Sequence, residues 1–330
     1  MHAITYSRFG AAADVLTLVE LPTPDPGPGE VLVELSHSGV NPSDIKARAG
    51  ARPGVTKPPF DQIIPHSDGA GRIVAVGDGV AADRVGQSVW IWNGQWQRPF
   101  GTAATHICVP AAQAVPLPDG ITAQAGASLG IPGLTAAHAV FGGGDITGKT
   151  VLIQGGAGTV GHLAIQLARW GGANVIATAR GAGLARSTKA GAHHVVDFGA
   201  DDIVDQVLRA NAGAPVDRIV EVEFGLNAHA DTDMIAPGGT ICAYGSARDM
   251  TPTLPFGPML FKAVTLDIIL IYILPVAERA AAVTRLHDAL IAGVLDCPVA
   301  ETFALRDCHH AHDAVAQGGR DGAILLETDT

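Results

Sequence analysis

Val151-Leu-Ile-Gln-Gly-Gly156-Ala-Gly158-Thr-Val-Gly161 leads into the apolar-striped His162–Trp170 and then into Val175–Thr178. The order is strand, glycine turn, helix, strand, which is the βαβ unit that seats a dinucleotide. Gly156 is expected to permit the tight turn, Gly158 to let backbone approach a diphosphate, and Gly161 to bring the helix close to the sheet. Thr159 and Val160 open the helix, whose free N–H groups carry partial positive charge toward an anion. In a chain with 41 glycines the motif alone says little. The strand before it, the helix after it and the second strand on schedule make it specific. The alternative is a glycine-rich surface turn in an α/β protein.

The residues after the second strand select the dinucleotide. A unit for NAD carries Asp or Glu roughly 20 residues beyond the glycines, on the adenosine ribose. No acidic residue lies between Asp145 and Asp197. The position falls instead in Thr178-Ala-Arg180-Gly-Ala-Gly-Leu-Ala-Arg186, with Lys189 close behind. A guanidinium gives a 2′-phosphate charge-assisted, bidentate hydrogen bonds where a carboxylate would repel it. Arg180 and Thr178 are therefore expected cofactor contacts and NADPH the expected cofactor; the plainer reading makes Arg180 and Arg186 solvated charges.

At 330 residues, 47% hydrophobic and 16% charged, the chain reads as a well-buried α/β protein of two domains. Its formal charge of −11 argues against nucleic acid or an anionic membrane as a standing partner. Met1–Tyr6 alternates like a strand rather than a secretory leader. Val264–Leu274 is shorter than the roughly 20 apolar residues of a bilayer span and includes Asp267. A cytoplasmic protein is expected. Cys108, Cys242, Cys297 and Cys308 show no CxxC spacing, against a four-cysteine zinc lobe or a disulfide framework. Cys308-His309-His310-Ala-His312 falls in an amphipathic helix, where histidines on the solvated face are the ordinary explanation. No metal site is expected.

The first ~120 residues read as strands and turns: Val15–Leu21, Val31–Ser36, Gly69–Val76 and Ser88–Trp92, with a Pro22–Gly29 loop that excludes helix. Near Thr122 the texture turns to alanine-rich helix and then βα repeats. Strands are expected at 151–154, 174–178, 194–197, 217–222, 239–244 and 264–272. After Pro275 follow a helix over 276–292 and short strands near 300–303 and 323–326. Trp90, Trp92 and Trp96 either wall an aromatic pocket or pack a strand core.

Gly39-Val-Asn41-Pro42-Ser-Asp44, Pro65-His-Ser-Asp68-Gly69-Ala70-Gly71, Val85-Gly86-Gln-Ser-Val89, Gly130-Ile-Pro132-Gly-Leu-Thr135-Ala136, Ala236-Pro-Gly238-Gly239 and Tyr244-Gly245-Ser246 occur in order around the glycine turn. With them the chain resembles the quinone oxidoreductase (zeta-crystallin-like) group of zinc-free medium-chain dehydrogenases/reductases along nearly its whole length. The resemblance implies an α/β protein: a Rossmann doubly wound parallel sheet inserted in a mainly-β GroES-like catalytic domain. The catalytic domain would be 1–124 plus 275–330 and the NADP-binding domain 125–274. Zinc relatives carry Cys at the position of Asn41 and His-Glu at Ser67-Asp68; His66 occupies the glycine position before the ligand histidine. Lacking that thiolate and imidazole, the chain is expected to reduce quinones or related conjugated carbonyls without a metal.

The resemblance also implies Asn41 and Asp44 beside the nicotinamide and Thr135 near its ribose. Gly158, Val160 and Gly161 match the diphosphate turn. Tyr244, Ser246, Ile269 and Ile271 lie where the family addresses the cofactor. Asn41-Pro-Ser-Asp44 is equally ordinary N-cap chemistry. Lys46 stands where the family often has a nearby Tyr, as proton donor, anion anchor or a solvated charge. Two alternatives stay open: an enoyl-thioester or alkenal double-bond reductase, and a cofactor-binding structural or regulatory protein. The apolar last strand Val264–Leu274 is an edge that a second copy would cover, implying a homodimer, or a tetramer built from two, with Ile269 at the seam.

Overall fold

The computed structural model describes residues 1–51 and 54–328. It divides into two compact units, one made of residues 1–131 with 297–330 and the other of 132–296.

In the second unit six parallel strands pair in the order His194–Asp197, Asn174–Ala179, Thr150–Ile153, Val216–Glu221, Ile235–Ala243, Thr265–Ile268. Numbered within the unit this is 3-2-1-4-5-6, the doubly wound order, whose reversal point lies between Thr150–Ile153 and Val216–Glu221. Both strands are buried on both faces, as Val151, Leu152, Ile153, Ile219 and Val220 are fully sequestered. That is why they read as continuous rather than alternating apolar runs. The helix Thr159–Trp170 buries Leu163, Ala164, Ile165, Leu167 and Ala168.

The strand expected over 264–272 ends at Ile268. Ile269 N–H still bonds the Ala243 carbonyl at 2.9 Å, after which Ile271–Ile273 turn into a 3₁₀ segment ahead of Pro275. A continuous apolar run does not reveal where a strand stops. The helix Val276–Ile291 buries Ala282, Leu286, Ala289 and Leu290 and packs on Leu134–Phe141, both within the second unit. The chain thus leaves that unit at 296/297, whereas the sequence reading put the crossing at 274/275.

In the first unit Glu30–Val40 is the organising strand, paired with Asp68–Val76, His106–Pro110 and Ala323–Glu327. Ser88–Ile91 and Ala114–Pro116 extend the sheet, and Val299–Ala304 flanks Ala323–Glu327. Because Leu326 pairs with Ser38, the C-terminal segment completes a sheet begun near the N-terminus. Val31, Val33, Leu35, Ile73, Val89, Ile91, Ile107 and Val109 form its core. The expected strand Val15–Leu21 is instead a helical turn, Ala12–Val15, followed by a strand, Thr17–Glu20. Trp90 is fully buried, so of the two readings for that indole the strand core holds; Trp92 and Trp96 are half-buried. Among the described residues no helix is long and apolar enough to cross a membrane.

Candidate functional site

The glycine turn lies where the sheet order reverses. Gly155 takes φ +70°, so the left-handed bend belongs to it and not to Gly156, as the sequence reading had it. Gly156 is a packing glycine: a Cβ there would lie 2.9 Å from the Ala177 Cβ, the Ile165 Cδ1 and the Ser187 Oγ. A Cβ on Gly161 would lie 2.3 Å from the Gly155 carbonyl oxygen, so this glycine sets the helix against the turn itself. Gly158 differs. Its hypothetical Cβ meets only the Gly155 oxygen, at 3.4 Å, which leaves its far side open. It caps Thr159–Trp170, and the first helical N–H groups, of Thr159 and Val160 among others, have no intrahelical acceptor. Open backbone at a positive helix end is a cradle for a diphosphate.

Thr178 is buried and holds this turn in place. Its hydroxyl donates to Gln154 Oε1 at 2.7 Å and accepts from Gly155 N–H at 3.1 Å. Gln154 in turn donates to Asp231 Oδ1 at 3.0 Å. Burial, followed by the neighbouring Glu221, raises the Asp231 carboxyl well above the usual carboxylate range; Glu221 is raised by burial as well. This acid pair under the turn went unnoticed in the sequence, because Gln154, Thr178, Glu221 and Asp231 meet only through the sheet.

Arg180 directly follows the second strand, exposed, with its guanidinium 5.4 Å from the Phe198 ring centroid. Arg186 and Lys189 follow on Ala182–Lys189. Thr135 is buried on Leu134–Phe141. Tyr244 follows the fifth strand, half-buried, its phenol pushed up by burial and by Glu221. Ser246 Oγ accepts from Gly225 N–H at 2.9 Å and donates to the Asp249 carbonyl, so its hydroxyl braces a loop. Ile269 and Ile271 are both buried.

In the first unit Pro42 at the first helical position and Asp44 start the helix Pro42–Ala49. Asp44 Oδ2 accepts the Asn41 backbone N–H at 2.8 Å, the carboxylate half of a capping box. Asn41 donates its own side-chain amide to Asp68 Oδ2 at 2.8 Å, and Ile131 N–H reaches the same oxygen at 2.9 Å. Asp68 is fully buried and its Oδ1 has no partner. Burial, reinforced by Asp44, raises its carboxyl well above the usual range against the two hydrogen bonds. Asn41, Asp44 and Asp68 are thus brought together. Lys46 is exposed, half a turn from Asp44. At the positions of Asn41 and Ser67 stand an amide and a hydroxyl rather than thiolate and imidazole, and that donor set does not fit a tetrahedral zinc.

The C-terminal histidines depart from expectation. On Cys308–Gln317 the buried residues are Cys308, Ala311, His312 and Val315, a stripe at i, i+3, i+4, i+7. His310 is exposed, but His312 is fully buried, with its Nε2 2.9 Å from His66 Nε2. The spacing alone would have placed His312 on the apolar stripe. His66 has φ +76°, a conformation suited to the glycine of the resembled pattern.

Residues 27–119 match the alcohol dehydrogenase GroES-like domain and residues 159–286 the zinc-binding dehydrogenase family. Rat quinone oxidoreductase is 30% identical over 249 residues, covering 74% of this chain and 73% of that protein. The chain spans 54% to 56% of the length of a group of longer mammalian relatives of equal identity. Among solved structures, Escherichia coli quinone oxidoreductase complexed with NADPH superposes with a TM-score of 0.85 at 25% identity, covering 99% of this chain and 100% of that one. A 2-haloacrylate reductase superposes with a TM-score of 0.85 at 26% identity, covering 100% of both chains.

Proposed function

Because the chain belongs to the quinone oxidoreductase family of medium-chain dehydrogenases/reductases, we propose that it is a cytoplasmic NADPH-dependent oxidoreductase that reduces quinones or related conjugated carbonyl compounds without zinc. One observation carries the cofactor reading: an open glycine cradle at a helix N-terminus, followed by an acid-free span that puts exposed Arg180 directly after the next strand.

The residues present fit that cofactor. Gly158, Thr159, Val160 and Gly161 hold the diphosphate through backbone N–H groups, while Gly156 and Thr178 keep the turn in shape. Arg180 takes the 2′-phosphate through its fork of donors, its stem steadied on Phe198. Thr135, Tyr244, Ser246, Ile269 and Ile271 line the rest of the cofactor's path, in part by bracing loops. Asn41 and Asp44 act at the reacting end, with Asn41 oriented by Asp68. NADPH supplies the hydride. The protein's work is to bind, orient and exclude water, and Asn41 offers a neutral amide to an electron-accepting carbonyl. Lys46, exposed on its helix, serves at most as an anchor for an anionic substrate.

A second reading, reduction of an activated alkene, draws on the likeness to 2-haloacrylate reductase. We also propose a homodimer through the edge strand Thr265–Ile268. Ile268 is 73% exposed there, with Phe261, Ile273 and Val276 also exposed on the same unit. The test is NADPH oxidation by the purified chain against quinones, enals and enoyl thioesters. Turnover of quinones ahead of the others is expected. Turnover of alkenes alone favours the second reading, and tight NADPH binding with no turnover on any of the three refutes an oxidoreductase.

A further inference from the structure

His66, Cys308 and His312 meet inside the first unit although 246 residues separate the two histidines. All three are buried, with exposures of 1%, 0% and 0%, and their ligand-type atoms lie within 4.8 Å of one another. The sequence reading treated His66 as a substitute for glycine and the histidine tract as solvated; neither view gave these side chains a task.

The hydrogen-bond chain behind His66 fixes its tautomer. Thr102 Oγ1 stands 2.6 Å from the Asp68 carbonyl oxygen, which can only accept, so the threonine proton goes there. The 2.9 Å contact between Ser38 Oγ and Thr102 Oγ1 must then use the serine proton. Ser38 Oγ is left to accept from His66 Nδ1–H, at 2.9 Å. Neutral His66 therefore presents the bare lone pair of Nε2 toward His312. Anchoring one ring nitrogen so that the other faces an ion is how metal-binding histidines are held. The 2.9 Å contact therefore takes its proton from His312 Nε2; His312 Nδ1 is buried with no partner and is the atom to which that proton moves when Nε2 turns its lone pair to an ion. Burial, and then Asp44, push the Cys308 thiol well above its ordinary range, with Arg48 opposing them, so the thiolate forms only together with the bound cation.

We propose that His66 Nε2, His312 Nε2 and Cys308 Sγ form a buried three-coordinate site for one soft d¹⁰ cation, Cu(I). A thiolate with two imidazoles is a soft donor set of the kind that selects Cu(I) or zinc. Zinc takes four ligands, or three and a water. At 0–1% exposure the three side chains are sealed from bulk solvent and the described cluster offers three ligands, which favours the ion content with three. With metal–nitrogen bonds of about 2.0 Å in a trigonal plane, the two nitrogens need about 3.5 Å, so the rings part by roughly half an ångström from 2.9 Å. On binding, the Cys308 thiol releases its proton to solvent, the His312 proton passes from Nε2 to Nδ1, the sulfur–copper and two nitrogen–copper bonds form, and no electron is transferred. The His66 anchor ends on the Asp68 carbonyl, so occupancy also stiffens the strand start that carries Asp68.

The test uses the full chain under anaerobic, reducing conditions, with Cu(I) delivered against a chromogenic Cu(I) chelator and Zn(II) in a parallel arm. One Cu(I) per chain is expected, with ultraviolet absorption from thiolate-to-copper bonding. Cys308→Ser, His312→Gln and His66→Gly should each weaken binding by about 100-fold. His66→Gly removes the ligand while relaxing φ +76°, so its fold is expected to survive. Failure of the wild-type chain to retain Cu(I) against the chelator overturns the proposal. So does equal retention by all three variants, which would assign the ion to Cys108, Cys242 or Cys297, or tighter retention of Zn(II) than Cu(I).

Discussion

Gly158→Ala and Gly161→Ala are three residues apart and should fail in different ways. At Gly161 the new Cβ would lie 2.3 Å from the Gly155 oxygen and 2.9 Å from the Gly155 carbonyl carbon and the Gly156 Cα. All three are backbone atoms, so no rotamer relieves the clash, and the turn must move by about 1 Å. Overpacking of this kind costs up to ~3 kcal/mol, offset by at most ~1 kcal/mol from replacing a glycine in the first turn of the helix. The net ~2 kcal/mol lowers Tm by roughly 4–8 °C for a unit of this size. At Gly158 the backbone sits at φ −71°, ψ 165°, which alanine accepts, and the nearest atom is 3.4 Å away. Losing glycine at an N-cap costs well under ~1 kcal/mol, so Tm should stay within about 2 °C. The same methyl intrudes on the open side of the cradle, where one charge-assisted hydrogen bond is worth ~1.5–3 kcal/mol. NADPH should then bind about 10- to 150-fold more weakly. Thermal unfolding with and without NADPH, together with a fluorescence titration, reads both effects. Wild-type NADPH affinity in Gly158→Ala, or equal losses of Tm in the two variants, refutes the assignment of packing to Gly161 and ligand approach to Gly158.

Arg180→Ala should raise the NADPH KM tenfold or more, on the ~1.5–3 kcal/mol of a charge-assisted contact, and leave NADH nearly unchanged; steady-state kinetics with both cofactors decides it, and equal weakening contradicts a phosphate role. Stripping zinc with a chelator should leave turnover intact, because Asn41 and Ser67 supply neither thiolate nor imidazole; loss of activity restored by zinc would reverse that reading. Ile268→Lys should convert the dimer to monomers by light scattering, whereas the earlier choice, Ile269, is 8% exposed and its substitution by lysine would damage the core; an unchanged mass for Ile268→Lys moves the seam elsewhere. Asp231 has a folded-state pKa raised by burial, so from about pH 4 upward the unfolded chain releases this proton first and stability falls with rising pH. Asp231→Asn should therefore gain Tm relative to wild type as pH increases from about 4 to 8, and a constant difference would contradict the raised value.

Periodicity and turn chemistry sufficed for the doubly wound sheet. A buried parallel strand reads as an apolar run, and a glycine turn ahead of an amphipathic helix is a local signal. The acid-free span before Arg180 was legible for the same reason, since it depends on residue types at a fixed distance along one chain. Local pattern could not apportion tasks among Gly155, Gly156 and Gly161, because each task is set by the atoms a Cβ would meet. Nor could it end the sixth strand, since Ile268, Ile269 and Ile271 are equally apolar while hydrogen bonding stops at Ile269. Helix Val276–Ile291 follows a proline and reads as a return to the first domain; its buried stripe finds its partner in Leu134–Phe141. The polar centres are the clearest cases of tertiary control. Asn41 with Asp68, Gln154 with Asp231, and His66 with Cys308 and His312 are separated by 27, 77 and up to 246 positions. Their protonation follows from burial and from partners that only the tertiary fold brings together, the hydrogen-bonded pairs within about 3 Å and the His66–Cys308–His312 cluster within 4.8 Å.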